Sequence, residues 1–333
     1  MVAHQDMIGL FLLGGTILSV AGRDTPADSA GLLEAAGIKG AGAVKIVPWR
    51  AVGSQNLTIP DILSLAAEIT LQAEGGMAGF VVVQGTDTME EVAFLLSLLL
   101  PASLTLVLTG AMRTADAAGA DGPGNLRDAL LVVRALSGQG LGPVICMNGE
   151  LHAARAVRKV DAGRIGAFAS AGQGPLGTVV TGRVRLLQRP LTPPSPVGWA
   201  GGDKVPKVAL VTVTMDADPL LLAAFADPRW AGLVVEGVGS GHVPRALAAP
   251  LAELARIKPV MLVSRCGQGD TDADGIYRGE GTAVDLLEKG LIDGGSLQGR
   301  KARLLLTLLC AKGWGIEELR RAAAGWAGLG LLS

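Results

Sequence analysis

Two threonines stand just beyond apolar runs, each in a glycine-flanked turn. Gly14-Gly15-Thr16 follows residues 8–13, and Gly85-Thr86-Asp87 follows residues 80–83. A hydroxyl placed there can act as a nucleophile once a base takes its proton. In open α/β sheets the crevice beyond the strands' carboxyl ends is where ligands bind. The stretch Gln84-Gly-Thr-Asp-Thr-Met-Glu-Glu91 has a second reading, as the start of a helix. Thr88 and Glu91 have capping-box spacing, and Glu90 and Glu91 suit the first turn's dipole. That reading leaves Thr86 and Asp87 unexplained, since they precede the helix. A carboxylate at 87 could accept hydrogen bonds from a substrate amine. Lys159, within Arg155-Ala-Val-Arg-Lys-Val-Asp161, is either part of a solvated basic face or a desolvated proton relay.

Other chemistries find less support. No Gly-Lys-Thr/Ser follows Gly14-Gly15, so a phosphate loop is excluded. Gly237-Val-Gly-Ser-Gly-His242 approaches a dinucleotide fingerprint. It carries His242 at the sixth position, and no acid lies about 20 residues on. His4, His152 and His242 lack metal-ligand spacing, and Cys146, Cys266 and Cys310 are too far apart for a CxxC pair. Neither a metal nor a cofactor is expected, and the cysteines read as small core residues of a cytoplasmic protein. The net charge of −1, without a basic cluster of any length, argues against nucleic acid. Residues 92–112 carry no charge, but Pro101 divides them into a helix tail and a strand at 104–108. A membrane partner is therefore not expected either. The first residues carry no basic segment of the kind that opens a secretory signal.

The elements that must position these residues are legible as apolar runs. Strand-length runs fall at 8–13, 44–47, 80–83, 104–108 and 144–147. Helical spacing falls at 60–73 and 125–136. Strands alternating with helices predict an α/β fold, a mostly parallel doubly wound sheet with helices on both faces. A stretch rich in Pro and Gly at 190–206 reads as a linker between a larger domain at 1–189 and a smaller α/β domain at 207–333. In the second domain, strands are expected at 208–214, 233–235 and 260–263. Helices are expected near 220–225, 247–257, 301–311 and 316–327.

Taken together, the motifs resemble those of the bacterial-type L-asparaginases. The segments are Gly14-Gly-Thr-Ile17, Gly53-Ser-Gln55, Gly85-Thr-Asp-Thr-Met-Glu-Glu91, Gly110-Ala-Met-Arg113, Ala120-Asp-Gly-Pro-Gly-Asn-Leu126, Gly174-Pro-Leu-Gly177 and Lys301-Ala-Arg303. They occur in the family's order and span most of the chain. The resemblance implies a hydrolase of an amino-acid amide, with Thr16 as nucleophile and Thr86, Asp87 and Lys159 as a second catalytic unit. Lys159 is placed by counting back from Phe168 and Gly174. The resemblance further implies a substrate site of Gly15, Ser54, Gln55, Gly85, Thr86, Asp87 and Ala111, and a homotetramer built of intimate dimers. A related ω-amidase acting on glutamine, D-asparagine or a modified asparagine is the alternative, as is an amino-acid-binding protein without turnover. Three positions depart from the family pattern. The loop at 18–32 lacks the usual tyrosine, with Asp24, Thr25 or Glu280 as possible stand-ins; Gln84 replaces a frequent histidine; and Ser240 and His242 stand where asparagines are common.

Overall fold

The computed structural model describes residues 7–18, 31, 34, 36–37, 44–190, 195–202 and 204–328. The chain divides into two compact units, Met1–Pro196 and Val197–Ser333.

The first unit is built on an eight-stranded sheet. Its parallel part comprises β1 (Ile8–Leu12), β2 (Val44–Pro48), β3 (Gly79–Val83), β4 (Leu106–Thr109) and β5 (Pro143–Met147). These lie in the order β2-β1-β3-β4-β5. The sequence therefore winds outward in both directions from β1 and β3, a doubly wound order whose switch point lies between those two strands. β1, β3, β4 and β5 are buried along their whole length, which is why they read as unbroken apolar runs rather than alternating ones. Beyond β5 the sheet continues antiparallel through β6 (Glu150–Ala153), β9 (Gly177–Val180) and β10 (Arg183–Leu186). A separate two-stranded ribbon, β7 (Val157–Lys159) with β8 (Phe168–Ser170), stands off this sheet.

Among the fully described elements, three helices support the sheet. α1 (Ile59–Glu74) opens with a capping box in which the Thr58 hydroxyl accepts from Asp61 N, and its carboxylate accepts from Thr58 N. Ile62, Leu65, Ala66 and Ile69 form its buried stripe. α2 (Met89–Leu99) packs on β5 and on α1, and α3 (Gly122–Leu136) packs on β3, β4 and β5. α3 begins three residues before the expected start, because Pro123 is tolerated in a first turn whose N–H groups lack helical partners anyway. Leu126, Ala129, Leu130 and Val133 of α3 share one core with Ile8, Leu10, Val81, Val83, Val107 and Val144. The alternate residues Phe80, Val82, Leu108 and Ile145 are buried too, so both sheet faces are covered. The uncharged stretch 92–112 is accounted for by buried α2, a turn after Pro101 and buried β4, which starts at Leu106 rather than 104. No helix among the described residues is long and apolar enough to cross a membrane.

The second unit carries a parallel four-stranded sheet, β11 (Val208–Thr212), β12 (Gly232–Gly237), β13 (Val260–Ser264) and β14 (Ile292–Asp293), in that order. A short helical turn, Leu220–Ala223, precedes α4 (Arg245–Ile257), α5 (Ala283–Glu288), α6 (Gly299–Cys310) and α7 (Ile316–Ala327). α4 contributes Leu247, Ala248, Leu251 and Leu254 to the core, facing Leu233, Val235 and Leu262. One expectation needs correcting: only Cys146 is a core residue. Cys310 is half-buried and Cys266 is exposed, because it lies past the end of β13 in a loop. All three are free thiols. The wide separation in sequence was a guide to the absence of pairing, not to depth.

Candidate active site

The turns after β1 and β3 meet at the sheet's switch point. Leu13 N donates to Val83 O, so the two strands run side by side to their ends. Gly14 and Gly15 then take φ values of 97° and 95°, a left-handed region that only glycine enters freely. A Cβ on Gly15 would lie 2.2 Å from Gly85 N, so the two turns touch backbone to backbone. Thr16, half-buried, opens a 3-10 turn, Thr16–Leu18, directly after this contact.

On the other side of the contact, Thr86 is buried and the Asp87 carboxylate is largely open to solvent. Lys159 reaches both. Its Nζ donates to Thr86 Oγ1 at 2.8 Å and to Asp87 Oδ1 at 2.7 Å, with the lysine side chain only 14% exposed. Hydrogen bonds with both partners charged are among the stronger ones, so this one fixes the ammonium between hydroxyl and carboxylate. Lys159 is thus not on a freely solvated face. Its backbone N–H also donates to Glu90 Oε2, and Glu90 is buried at the start of α2. The sequence reading assigned Glu90 to the helix dipole alone and missed this tie.

The expected capping box at Thr88 does not form. Thr88 occupies the N-cap, but its hydroxyl donates to Ser54 O at 2.8 Å instead of capping the helix. Ser54 opens a short 3-10 turn, Ser54–Asn56, and its Oγ accepts from Asp87 N at 3.2 Å. One buried serine therefore fastens both Asp87 and Thr88, and a tertiary bond displaces the local one. Gln55, next along, is exposed, its amide folded back over Gly53.

Ala111 follows β4 and is buried. A Cβ on Gly122 would meet Ile17 Cγ1 at 2.6 Å and Ala111 Cβ at 3.4 Å, so the Thr16 turn and the Ala111 turn share one wall. The turn is held from below. The Asp121 carboxylate accepts from Met112 N and Arg113 N, and Asn125 Nδ2 donates to Gly110 O at 3.0 Å. Asn125 Oδ1 accepts from Asn148 N at 3.0 Å, which joins the turn to the end of β5. Gln84 is fully buried, its Nε2 donating to Gly85 O at 3.3 Å.

Thus Gly15, Ser54, Gly85, Thr86, Asp87 and Lys159 form one contiguous cluster, with Thr16 and Ala111 on its adjoining turns. Residues 19–30 lie outside the described residues, and with them the loop that lacks a tyrosine and the proposed stand-ins Asp24 and Thr25. Glu280 lies in the second unit and faces Arg245 Nε at 3.4 Å. In that unit the glycine-rich segment at 237–242 is a tight turn in which His242 N donates to Val238 O, and α4 starts only at Arg245. A dinucleotide loop would run straight from strand into helix. His242 Nδ1 accepts from Ala283 N at 3.1 Å. Its ring stands nearly perpendicular to that of Tyr277, the chain's only tyrosine, with centroids 5.6 Å apart. Among the described residues no three His, Cys, Asp or Glu side chains converge as a metal site would.

Comparison with known proteins sets this arrangement among two-domain α/β amidohydrolases. Residues 7–192 match the family model described as asparaginase, N-terminal, and residues 207–322 match the glutaminase/asparaginase C-terminal domain. The chain belongs to the asparaginase family. It is similar to a probable L-asparaginase of Deinococcus radiodurans, at 33% identity over 96% of this chain and 98% of the relative. L-asparaginase 2 of Escherichia coli is 31% identical over 83% of this chain and 77% of its own. The crystal structure of a probable cytoplasmic L-asparaginase from Campylobacter jejuni superposes with a TM-score of 0.85 at 27% identity, covering 96% of this chain and 99% of that one.

Proposed function

We propose that this protein hydrolyses the side-chain amide of L-asparagine to L-aspartate and ammonia through an acyl-enzyme on Thr16. The observation that carries the reading is the single ammonium of Lys159 within hydrogen-bond reach of both Thr86 and Asp87. Thr16 Oγ attacks the amide carbon. The C–N bond breaks as the leaving nitrogen takes up the hydroxyl proton and departs as ammonia. Water then cleaves the ester, releasing aspartate and returning a proton to Thr16. Thr86 and Lys159 form a relay that moves these protons, a task suited to a hydroxyl bridged to an amine. Backbone N–H groups of the Gly14–Thr16 turn face the developing oxyanion, where fixed dipoles cost no reorganisation.

The substrate's α-carboxylate and α-amine are held by Ser54, Gln55 and Asp87, with Gly15 and Gly85 giving close backbone approach and Ala111 contacting the amide. The working form is a homotetramer of intimate dimers in the cytoplasm. The free thiols and the likeness to the Campylobacter protein support that compartment.

Ammonia release from L-asparagine, D-asparagine and L-glutamine tests the reading. L-asparagine should be turned over fastest, and Thr16→Val should lose that turnover while still binding aspartate. Unimpaired hydrolysis by Thr16→Val would remove Thr16 from the mechanism. Preferred turnover of glutamine or D-asparagine would identify a related ω-amidase, and binding without any turnover a non-catalytic protein.

A further inference from the structure

Lys159 sits on a short ribbon whose Val157, Ala167 and Phe168 are buried and whose backbone at Lys159 is bonded to Glu90. Among the described residues β7 pairs only with β8, three residues each, and an isolated two-stranded ribbon is marginal in water. Its turn is tightened by Asp161, whose carboxylate accepts from Gly163 N and Arg164 N, both at 2.8 Å. One end is tied to the active-site cluster through Lys159 itself. The opposite strand carries Ser170, paired with Val157, two positions from the Lys159 and Phe168 pair. Ser170 Oγ lies 3.0 Å from His152 Nδ1, and both residues are buried. His152 belongs to β6 of the main sheet, in register with Ile145 of β5. Its Nε2 lies 3.4 Å from Glu150 Oε2, on the same strand.

Burial pushes the His152 pKa down, against the pull of Glu150, so the imidazole is neutral at physiological pH. A neutral ring has one N–H and one acceptor nitrogen; with the proton on the side of Glu150, Nδ1 would accept from the Ser170 hydroxyl, and with the proton on Nδ1 the hydroxyl would accept instead. The grouping has the composition of a hydrolytic triad. However, the Ser170 hydroxyl is buried and committed to the ring, so no substrate can reach it.

We infer that the His152–Ser170 hydrogen bond is the anchor that sets the position of the β7–β8 ribbon, making both positioning residues for Lys159. The inference rests on the proton-relay role given to Lys159 above. Without the His152–Ser170 bond the ribbon keeps its buried Val157, Ala167 and Phe168 and the tie from Lys159 N to Glu90, but the placement of the ammonium against Thr86 loosens. A displacement near 1 Å at a reacting group can cost up to about a hundredfold in rate.

The test compares Ser170→Ala, His152→Leu, His152→Asn and Lys159→Met in the full chain, with kcat and KM for L-asparagine and Tm for each. Ser170→Ala and His152→Leu should each lower kcat about ten- to a hundredfold. KM should change less than kcat, since Ser54, Gln55 and Asp87 do not lie on the ribbon and only Asp87 is bonded to Lys159. His152→Asn puts an amide oxygen close to the Nδ1 position and should recover most of the lost kcat. If Ser170→Ala keeps wild-type kcat, or if His152→Asn is no better than His152→Leu, the anchor role is overturned. Should His152→Leu not fold, the contrast of Ser170→Ala with Ser170→Thr, which keeps the hydroxyl, decides in the same way. A Lys159→Met enzyme with undiminished kcat would instead refute the relay itself, an outcome separate from failure of the anchor.

Discussion

Lys159 gives the sharpest statement at the scale of single residues. Its Nζ bonds to Thr86 and Asp87 make the three side chains one unit, so removing any member should disable the others. Thr86→Ala and Lys159→Met are each expected to lower kcat/KM by about 10²–10⁴-fold. The double variant should be only slightly worse than the more damaged single one, since groups acting together lose their effect together. Losses that multiply across the double variant would show that Lys159 contributes independently of Thr86. This residue was also the least legible in the sequence. Nothing local to Arg155–Asp161 distinguishes a relay from a solvated basic face, and only distance along the chain from Gly174 selected it. The place of Thr16, Thr86 and Asp87 in turns after strands was readable because an apolar run and glycine come in immediate succession before each threonine.

At the scale of elements, Asn125 is the residue that turns a helix into support for the site. It lies in the first turns of α3, yet its amide bonds Gly110 O before Ala111 and Asn148 N after β5. Asn125→Leu would leave the buried Gly110 O without that partner, while the exposed Asn148 exchanges its acceptor for water, a destabilisation of about 1–3 kcal/mol. A thermal melt should show the lowered Tm, and KM for L-asparagine should rise because the Ala111 turn loosens. An unchanged Tm would mean that water replaces the amide.

The same scale shows where sequence reading ends. β1, β3, β4 and β5 are buried on both faces, and their apolar runs reveal them at once. β6 to β10 are three or four residues long with mixed burial, so neither run length nor alternation marks them. β14, two residues, and α5, six residues, were missed for the same reason. The Thr88 capping box failed differently: the spacing was right, but Ser54, 34 residues upstream, offered a better acceptor.

For the whole molecule, the second unit exposes the large apolar groups Met215 (92%), Leu220 (77%), Ile276 (83%) and Tyr277 (63%). Such surface is consistent with assembly, and activity is expected to reside in a dimer or larger species. Light scattering coupled to an activity assay checks this, and a fully active monomer would contradict it. Acid should destabilise the protein. Backbone N–H donors hold Asp161 and Asp272 below the usual carboxylate range, and Arg229 holds Asp227 down to about 2. Groups depressed in this way stabilise the fold above their unfolded value near 3.8. That contribution declines as pH falls through the folded values. Tm measured downward from pH 5 should therefore fall most steeply below about pH 4, and Asp227→Asn should flatten part of that fall.

The contact of Gly15 with Gly85 has a further consequence, one of inheritance. Gly15 has a backbone that side chains rarely adopt and a neighbour 2.2 Å from where a Cβ would sit, while a Cβ on Gly85 would lie 2.8 Å from Ser54 Oγ. A library randomised at both positions should return almost nothing but glycine among active clones. Variation that retunes this enzyme toward another amide must then enter around the seam, at side chains such as Gln55, Gln84 and Ala111. In this chain the seam itself has no room for a side chain, so such change is confined to its margins.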